Sequence, residues 1–163
     1  MSNLKKIQSK IVSLANLTLK VDEWKKSGQK IVFTNGCFDL IHRGHVEVLS
    51  KTADLGEKLI VGLNSDISIK KLKGKSRPII DENSRALLLA ALTFVDAVIF
   101  FSEENPLNLI TNLKPDILAK GGDYEINTIV GHEIVKNNGG DVVLVPFVDG
   151  FSSTNIIDKI QNS

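Results

Sequence analysis

From residue 30 onward the chain alternates strand-like with helix-like segments, and no other feature restricts its fold so tightly. Short apolar runs at 31–33, 58–63, 97–101, 116–119 and 142–145 read as strands. Between and after them, apolar residues recur at helical spacing: one helix opens near Gly44 with Val46, Leu49 and Ala53 on its stripe, and others are predicted over 83–92, 106–113, 128–137 and 153–160. This order predicts an α/β fold with a five-stranded parallel sheet and helices on both faces. Asn105-Pro106 reads as a helix cap followed by a first-turn proline, and Gly139-Gly140 separates the penultimate helix from the last strand. Ahead of the alternation, Ser13 is placed to cap a helix over 14–27, whose stripe is Leu14, Leu17, Val21 and Trp24 and whose end is Gly28. Trp24 is expected in the core or at a subunit contact rather than stacked on a base.

The first strand–helix unit carries the chemistry. The strand stops at Thr34-Asn35-Gly36, and a brief loop leads into the helix through His42 and His45. At that point of an α/β fold, free backbone N–H groups and the positive end of the helix dipole favour anions. A single histidine there would be read as an ordinary surface residue. Two at i and i+3 share one side of the first turn, and Gly44 between them leaves room for a phosphate near the backbone. Imidazoles donate to phosphoryl oxygens and, when protonated, offset their charge.

Gly36-Cys37-Phe38-Asp39-Leu40-Ile41-His42-Arg43-Gly44-His45 resembles the G-x-F-D-x-x-H-x-G-H signature of the cytidylyltransferase-like nucleotidyltransferases. The resemblance implies a Rossmann-like, doubly wound sheet, with residues 30–163 as a single nucleotidyltransferase domain and residues 1–29 as an N-terminal helical extension. It implies that His42 and His45 are catalytic, and that Thr34, Asn35, Gly36, Cys37, Phe38, Asp39 and Gly44 hold the nucleotide, with Asp39 fixing the loop rather than moving protons.

Three further segments extend the likeness. The polar stretch 65–83 reads as a loop carrying Lys70, Lys71, Lys73, Lys75 and Arg77, which in isolation would be a solvated surface. Its Leu72-Lys73-Gly74-Lys75-Ser76-Arg77-Pro78-Ile79 resembles the L-K-G-x-x-R-P-I segment of the sugar-phosphate adenylyltransferases, which implies a catalytic phosphate contact for Lys73 and a substrate contact for Arg77. Arg85 matches an arginine of that group and is carried over as nucleotide-binding; otherwise it would be a surface helix charge. Lys120-Gly121-Gly122-Asp123-Tyr124 could be a bare turn after a buried strand, but it is similar to a K-G-G-D-Y segment that lines the nucleotide and sugar pocket, so all five residues are expected at the substrate. Finally, residues 146–154 supply hydroxyls that would cap the last helix, Ser153 among them, or cradle phosphate. They resemble the family's R-T-E-G-I-S-T-T motif, which implies that Gly150, Ser152, Ser153 and Thr154 hold the nucleotide. Phe147 stands where cytidylyltransferases place arginine, which fits the P-F-V-x-G-x-S-T pattern of heptose-phosphate adenylyltransferases.

The resemblance therefore implies transfer of AMP from ATP to a sugar 1-phosphate, with D-glycero-β-D-manno-heptose 1-phosphate as the acceptor and ADP-heptose for lipopolysaccharide core synthesis as the product. The alternatives are a cytidylyltransferase acting on glycerol 3-phosphate or phosphoethanolamine, a flavin- or pantetheine-type adenylyltransferase, and a non-catalytic nucleotide sensor. Mg²⁺ is expected to arrive with the triphosphate, held by its oxygens and by water, with no dedicated protein ligands. The other expected partners are a separate sugar kinase, since 163 residues leave no room for one here, and a second copy of the chain in a homodimer. A net charge of +1 gives no global signal for nucleic acid or membrane. Cys37, the only cysteine, has no internal disulfide partner, and no apolar run reaches the ~20 residues needed to span a bilayer or forms a secretory signal. Together these lead to a cytoplasmic expectation.

Overall fold

A computed structural model of the chain describes residues 1–162; Ser163, the last residue assigned to the expected domain, lies outside the described residues. Five strands, β1 (Ile31–Gly36), β2 (Lys58–Asn64), β3 (Ala97–Phe101), β4 (Ile117–Gly121) and β5 (Asp141–Val145), form one parallel sheet in the order β3-β2-β1-β4-β5. The reversal of strand order at β1 makes this a doubly wound, Rossmann-like sheet, as expected.

Alternation along each strand divides the core. Ile31, Phe33 and Ile60 point to one face, where they pack with Leu17 and Val21 of α2 (Leu14–Lys26), with Leu109, Ile110 and Leu113 of α6 (Leu107–Leu113), and with Val135 of α7 (His132–Asn137). Val32, Leu59, Val61 and Leu63 point to the other. There they meet Leu49 of α3 (Arg43–Ala53) and Ala86, Leu89 and Ala90 of α5 (Glu82–Ala91). Because α2 fills one face, the N-terminal residues are built into the same core as the strands. They also extend the sheet edge: Val12 N–H donates to the Val98 carbonyl and Val98 N–H to that of Lys10. Trp24 is partly buried against this cluster, with Lys58 Nζ 5.5 Å from its ring centroid.

Capping chemistry sets the helix ends. Ser13 accepts from Asn16 N–H and Asp81 from Ser84 N–H. At α6 the cap is Pro106 rather than the expected Asn105, whose Oδ1, one position earlier, still accepts from Leu107 N–H.

Three further local expectations are corrected and one helix is added. Ahead of the helix expected over 14–27, α1 (Asn3–Gln8) also forms, capped by Ser2, and packs on α5. Residues 65–83 are not one loop: α4 (Asp66–Lys73) occupies their first half, capped by Ser65, with Asp66 at its positive end and Ile69 wholly buried. The helix expected over 128–137 is broken into a 3₁₀ turn, Ile126–Thr128, and α7. Gly131 forces the break, since its φ is +87° and a Cβ there would come within 2.6 Å of the Ile110 side chain. In α8 (Ser153–Gln161) the cap is Ser152, which accepts from Asn155 N–H, whereas Ser153 Oγ donates to the Leu40 carbonyl at 2.8 Å. Among the described residues no helix is long and apolar enough to cross a membrane.

Candidate active site

The sheet itself opens the site. β1 pairs with β2 over six residues but with β4 over only two, Val32 with Ile117 and Phe33 with Leu118. Beyond those pairs β1 and β4 part, and the crevice outside the carboxyl ends of strands at a reversal of order is where ligands of such sheets bind. A cavity of about 610 Å³ lies there.

The end of β1 and its loop form one wall, with Thr34, Asn35, Gly36, Cys37, Phe38 and Asp39. The first turn of α3 supplies His42, Gly44 and His45, and the end of α4 supplies Lys73. β4 contributes Lys120 and Gly121, with Tyr124 just after it, and the closing segment contributes Gly150, Ser152, Ser153 and Thr154. The sequence-derived set thus converges on one cavity, with four exceptions: Arg77, Arg85, Gly122 and Asp123 do not line it.

Arg77 and Arg85 are engaged elsewhere. Arg85 is fully buried; its guanidinium donates to the carbonyls of Ile80, Cys37 and Asn64 and to Asp66 Oδ1, at 2.7–2.9 Å. One side chain therefore ties the β1–α3 loop to the end of β2, to α4 and to the approach to α5. Arg77 Nε donates to Asp39 Oδ2 at 2.8 Å and its Nη2 to the Asp39 carbonyl. The Asp39 carboxylate also accepts from the amides of Ile79 and Ile80. Burial by itself would push this carboxyl up, but those two amides and the Arg77 guanidinium together hold it below the usual carboxylate range. Asp39 is thereby a loop fastener, as its position in the motif suggested.

The histidines are arranged differently. Their rings stack with centroids 3.9 Å apart and planes 22° from parallel, and Phe38 meets His45 edge-on at 5.2 Å. Nδ1 of each is buried without a hydrogen-bond partner. Burial lowers the pKa of His42, and burial, His42 and the Lys73 ammonium, in that order, bring His45 down to about 4, with only the Leu40 backbone acting the other way. Burial thus favours the neutral form of both rings in the free protein. A Cβ on Gly44 would come within 3.0 Å of the His42 ring and 2.9 Å of Phe151 Cβ. Glycine is required here to seat His42 at the helix start as much as to admit a ligand.

Across the cavity, Lys120 Nζ reaches Asn35 Oδ1 at 3.3 Å, bridging the parted strands. Phe147 packs on the Gly121–Gly122 backbone, where a Cβ on Gly122 would meet its ring at 2.7 Å. Val48 and Phe151 also line the cavity and were not singled out in the sequence. Val48 lies one turn beyond His45 and could have been found by extending the histidine face; Phe151 stacks 6.4 Å from His42, with Arg43 5.4 Å from its ring, a contact made only in three dimensions.

Residues 33–159 match the family model described as Cytidylyltransferase-like. The chain belongs to that family of nucleotidyltransferases. The chain is 54% identical over 152 residues to the Bifunctional protein HldE of Geobacter metallireducens and 53% identical over 152 residues to that of Pelobacter propionicus. Each alignment covers 93% of this chain and 31% of the relative, so the chain spans about a third of the length of these proteins. Among solved structures, the lipopolysaccharide core biosynthesis protein from Thermoplasma volcanium GSS1 is 32% identical with a TM-score of 0.59, covering 74% of this chain and 98% of that one. A pantoate-beta-alanine ligase from Francisella tularensis shares the fold, at 17% identity and a TM-score of 0.66, over 90% of this chain and 72% of that one.

Proposed function

We propose that this chain transfers AMP from ATP to a sugar 1-phosphate, D-glycero-β-D-manno-heptose 1-phosphate, giving ADP-heptose and pyrophosphate for lipopolysaccharide core synthesis. The observation that carries this reading is the pair of stacked imidazoles at the start of α3, which line a cavity that also holds Lys73 and Lys120. Such a site is made for phosphates, and it contains no activated serine or cysteine. None is needed. The acceptor phosphate is already an anionic nucleophile: one of its oxygens bonds to the α-phosphorus, the bond from that phosphorus to the α,β-bridging oxygen breaks, and pyrophosphate departs with the electron pair.

The protein's share is alignment and neutralisation of charge. His42 and His45 donate to the α- and β-phosphates, Lys73 assists, and the backbone at residues 35–38 with the α8 cap holds the nucleotide. Lys120, Gly121 and Tyr124 are the part of the glycine-rich segment that faces the substrates, and Phe147 gives the base an apolar wall. Among the described residues no group of three His, Cys, Asp or Glu side chains is placed to hold a metal, and Asp39 is committed to Arg77 and two amides. Mg²⁺ fits this site as a companion of the triphosphate, whose charge it would shield. A sugar kinase would supply the acceptor.

The similarity to the HldE proteins and to the lipopolysaccharide core biosynthesis protein supports the sugar acceptor, and Phe147 supports adenine over cytosine. Pyrophosphate release with each nucleoside triphosphate against a panel of phosphorylated acceptors tests the proposal. ATP with heptose 1-phosphate should give the highest rate, and a faster reaction of CTP with glycerol 3-phosphate or phosphoethanolamine would replace it.

A further inference from the structure

The two histidines are held by different means. His45 stands against the Leu40 backbone, the one group that favours its charged form, and meets the Phe38 ring edge-on. His42 begins α3 without a side-chain cap bond, and its Nδ1 is buried with no partner. Among the described residues no polar group fixes the direction of the His42 ring. The torsion that turns an imidazole has broad minima, so only packing can aim it.

That packing comes from three neighbours. His45 stacks on His42 at 3.9 Å, and Phe151 stacks at 6.4 Å with its plane 24° from that of the imidazole. The third is the Gly44 backbone, on which both side chains rest: a Cβ there would stand 3.0 Å from the His42 ring and 2.9 Å from Phe151 Cβ. Two of the three belong to α3 itself. Phe151 alone comes from another part of the chain.

The Phe151 ring is in turn placed by α3 and its loop. Arg43, paired with Glu47, lies 5.4 Å from the ring centroid, and two residues further on Ser153 Oγ donates to the Leu40 carbonyl. The closing segment thus reaches the supports of both histidines. Helix α8, which follows it, has no buried residue among those described, so the segment depends on these contacts and on Phe147 against the Gly121–Gly122 backbone.

We infer that Phe151 is a positioning residue for His42: its ring sets the direction of the imidazole, so that the segment that seats the nucleotide also aims the histidine. Gly150, Ser152, Ser153 and Thr154 carry that segment's likeness to the family, and Phe151 has no part in it. The effect on turnover rests on the proposed function; the effect on the ring does not.

A phenyl ring beside an imidazole also takes the place of water, and burial is the cause of the lowered His42 pKa. The charged and titratable groups around the pair are His45, Arg43 and Glu47 on α3 and Lys73 at the end of α4, with Lys120 and Asp149 further round the cavity. Substitutions at 151 leave all of them in the chain.

Three variants test the inference. Phe151→Ala removes the ring and its bulk, Phe151→Leu keeps most of the bulk without the flat face, and Phe151→Tyr keeps the ring. Ring-proton NMR of the ligand-free protein follows the titration of His42, and steady-state kinetics with ATP and heptose 1-phosphate separates kcat from KM. In Phe151→Ala the His42 pKa should climb toward the ordinary 6.5. In both Phe151→Ala and Phe151→Leu kcat should fall about tenfold or more with KM for ATP little changed, since a small misplacement of a catalytic group is costly. Phe151→Tyr should match the wild type in both measurements. Unchanged kcat in the Ala and Leu variants would overturn the inference, and so would a raised KM for ATP at normal kcat, which would make Phe151 a nucleotide contact. An unaltered His42 titration in Phe151→Ala would overturn it as well. Should the wild type not turn over heptose 1-phosphate, the proposed acceptor fails and the NMR titration still decides whether Phe151 governs His42.

Discussion

Two sets of polar side chains meet at the loop between β1 and α3, and the protein treats them in opposite ways. On one side, Asp39, Arg77, Arg85 and Asp66 form a knot in which each charge faces an opposite charge, with Asp39 also accepting from two amides and Arg85 making four hydrogen bonds. On the other, the Nδ1 atoms of His42 and His45 are buried without a hydrogen-bond partner, and among the described residues no carboxylate pairs with Lys120. A satisfied group contributes to the folded state, whereas an unsatisfied one costs stability and persists where a ligand completes it. The knot therefore holds the shape of the loop, and the histidine pair uses that shape.

The sharpest way to break this contrast is at Arg85. Arg85→Met strands the Asp66 carboxylate and three carbonyls, and loss of one partner of a buried pair typically costs about 3–5 kcal/mol. Thermal and urea denaturation should show that loss, and activity should fall with it. If the variant kept its stability and only KM for the nucleotide rose, Arg85 would contact the ligand, as the family resemblance implied, and the knot would lose its centre.

Next comes the histidine pair. His42→Ala or His45→Ala should lower turnover by about 10²–10³-fold, the usual result of removing a transition-state donor. Each variant should stay folded, losing only the packing of one ring against its stacked neighbour. Steady-state kinetics and a melting curve on each variant check both halves. Near-normal turnover in either would remove that residue from catalysis.

A smaller effect separates the two sets by pH. His45 titrates near 4 in the folded protein against an ordinary 6.5, so the unfolded chain binds the extra proton first. Stability is full above about pH 6.5 and falls as pH drops toward 4. Discounted for solvent reaching the ring, the loss is about 1–2 kcal/mol. Asp39 is held below its ordinary 3.8 and makes its own loss only below that pH. Denaturation at pH 7 and pH 4.5 should thus show a smaller drop in His45→Gln than in wild type. Equal drops would mean that the ring is not sequestered. Polyphosphate binding should have the reverse sign, tightening as pH falls, because a bound anion favours the imidazolium.

Much of this contrast was legible in the chain, but unevenly. The sheet could be read because strands buried on both faces leave continuous apolar runs such as Ile31–Phe33, and the histidines because two imidazoles and a glycine sit together where the loop enters α3. The knot could not. A guanidinium that gathers carbonyls from 37, 64 and 80 brings together residues far apart in sequence, and nothing local distinguishes Arg85 from a surface charge. Helix α4 was hidden by its own lysines, since Ile69 and Ser68 alone among its residues are buried and the apolar stripe is too thin to register. The exchange of roles between Ser152 and Ser153 turned on one residue of register, fixed by the Leu40 carbonyl, which no propensity encodes.

The proposed reaction makes an ADP-sugar. With ATP and CTP at equal concentration and heptose 1-phosphate as acceptor, the products can be separated and quantified directly. ADP-heptose is expected in about tenfold or greater excess, a preference of only ~1.4 kcal/mol from an apolar wall at Phe147 in place of a cation. CDP-heptose forming as fast as ADP-heptose would contradict it.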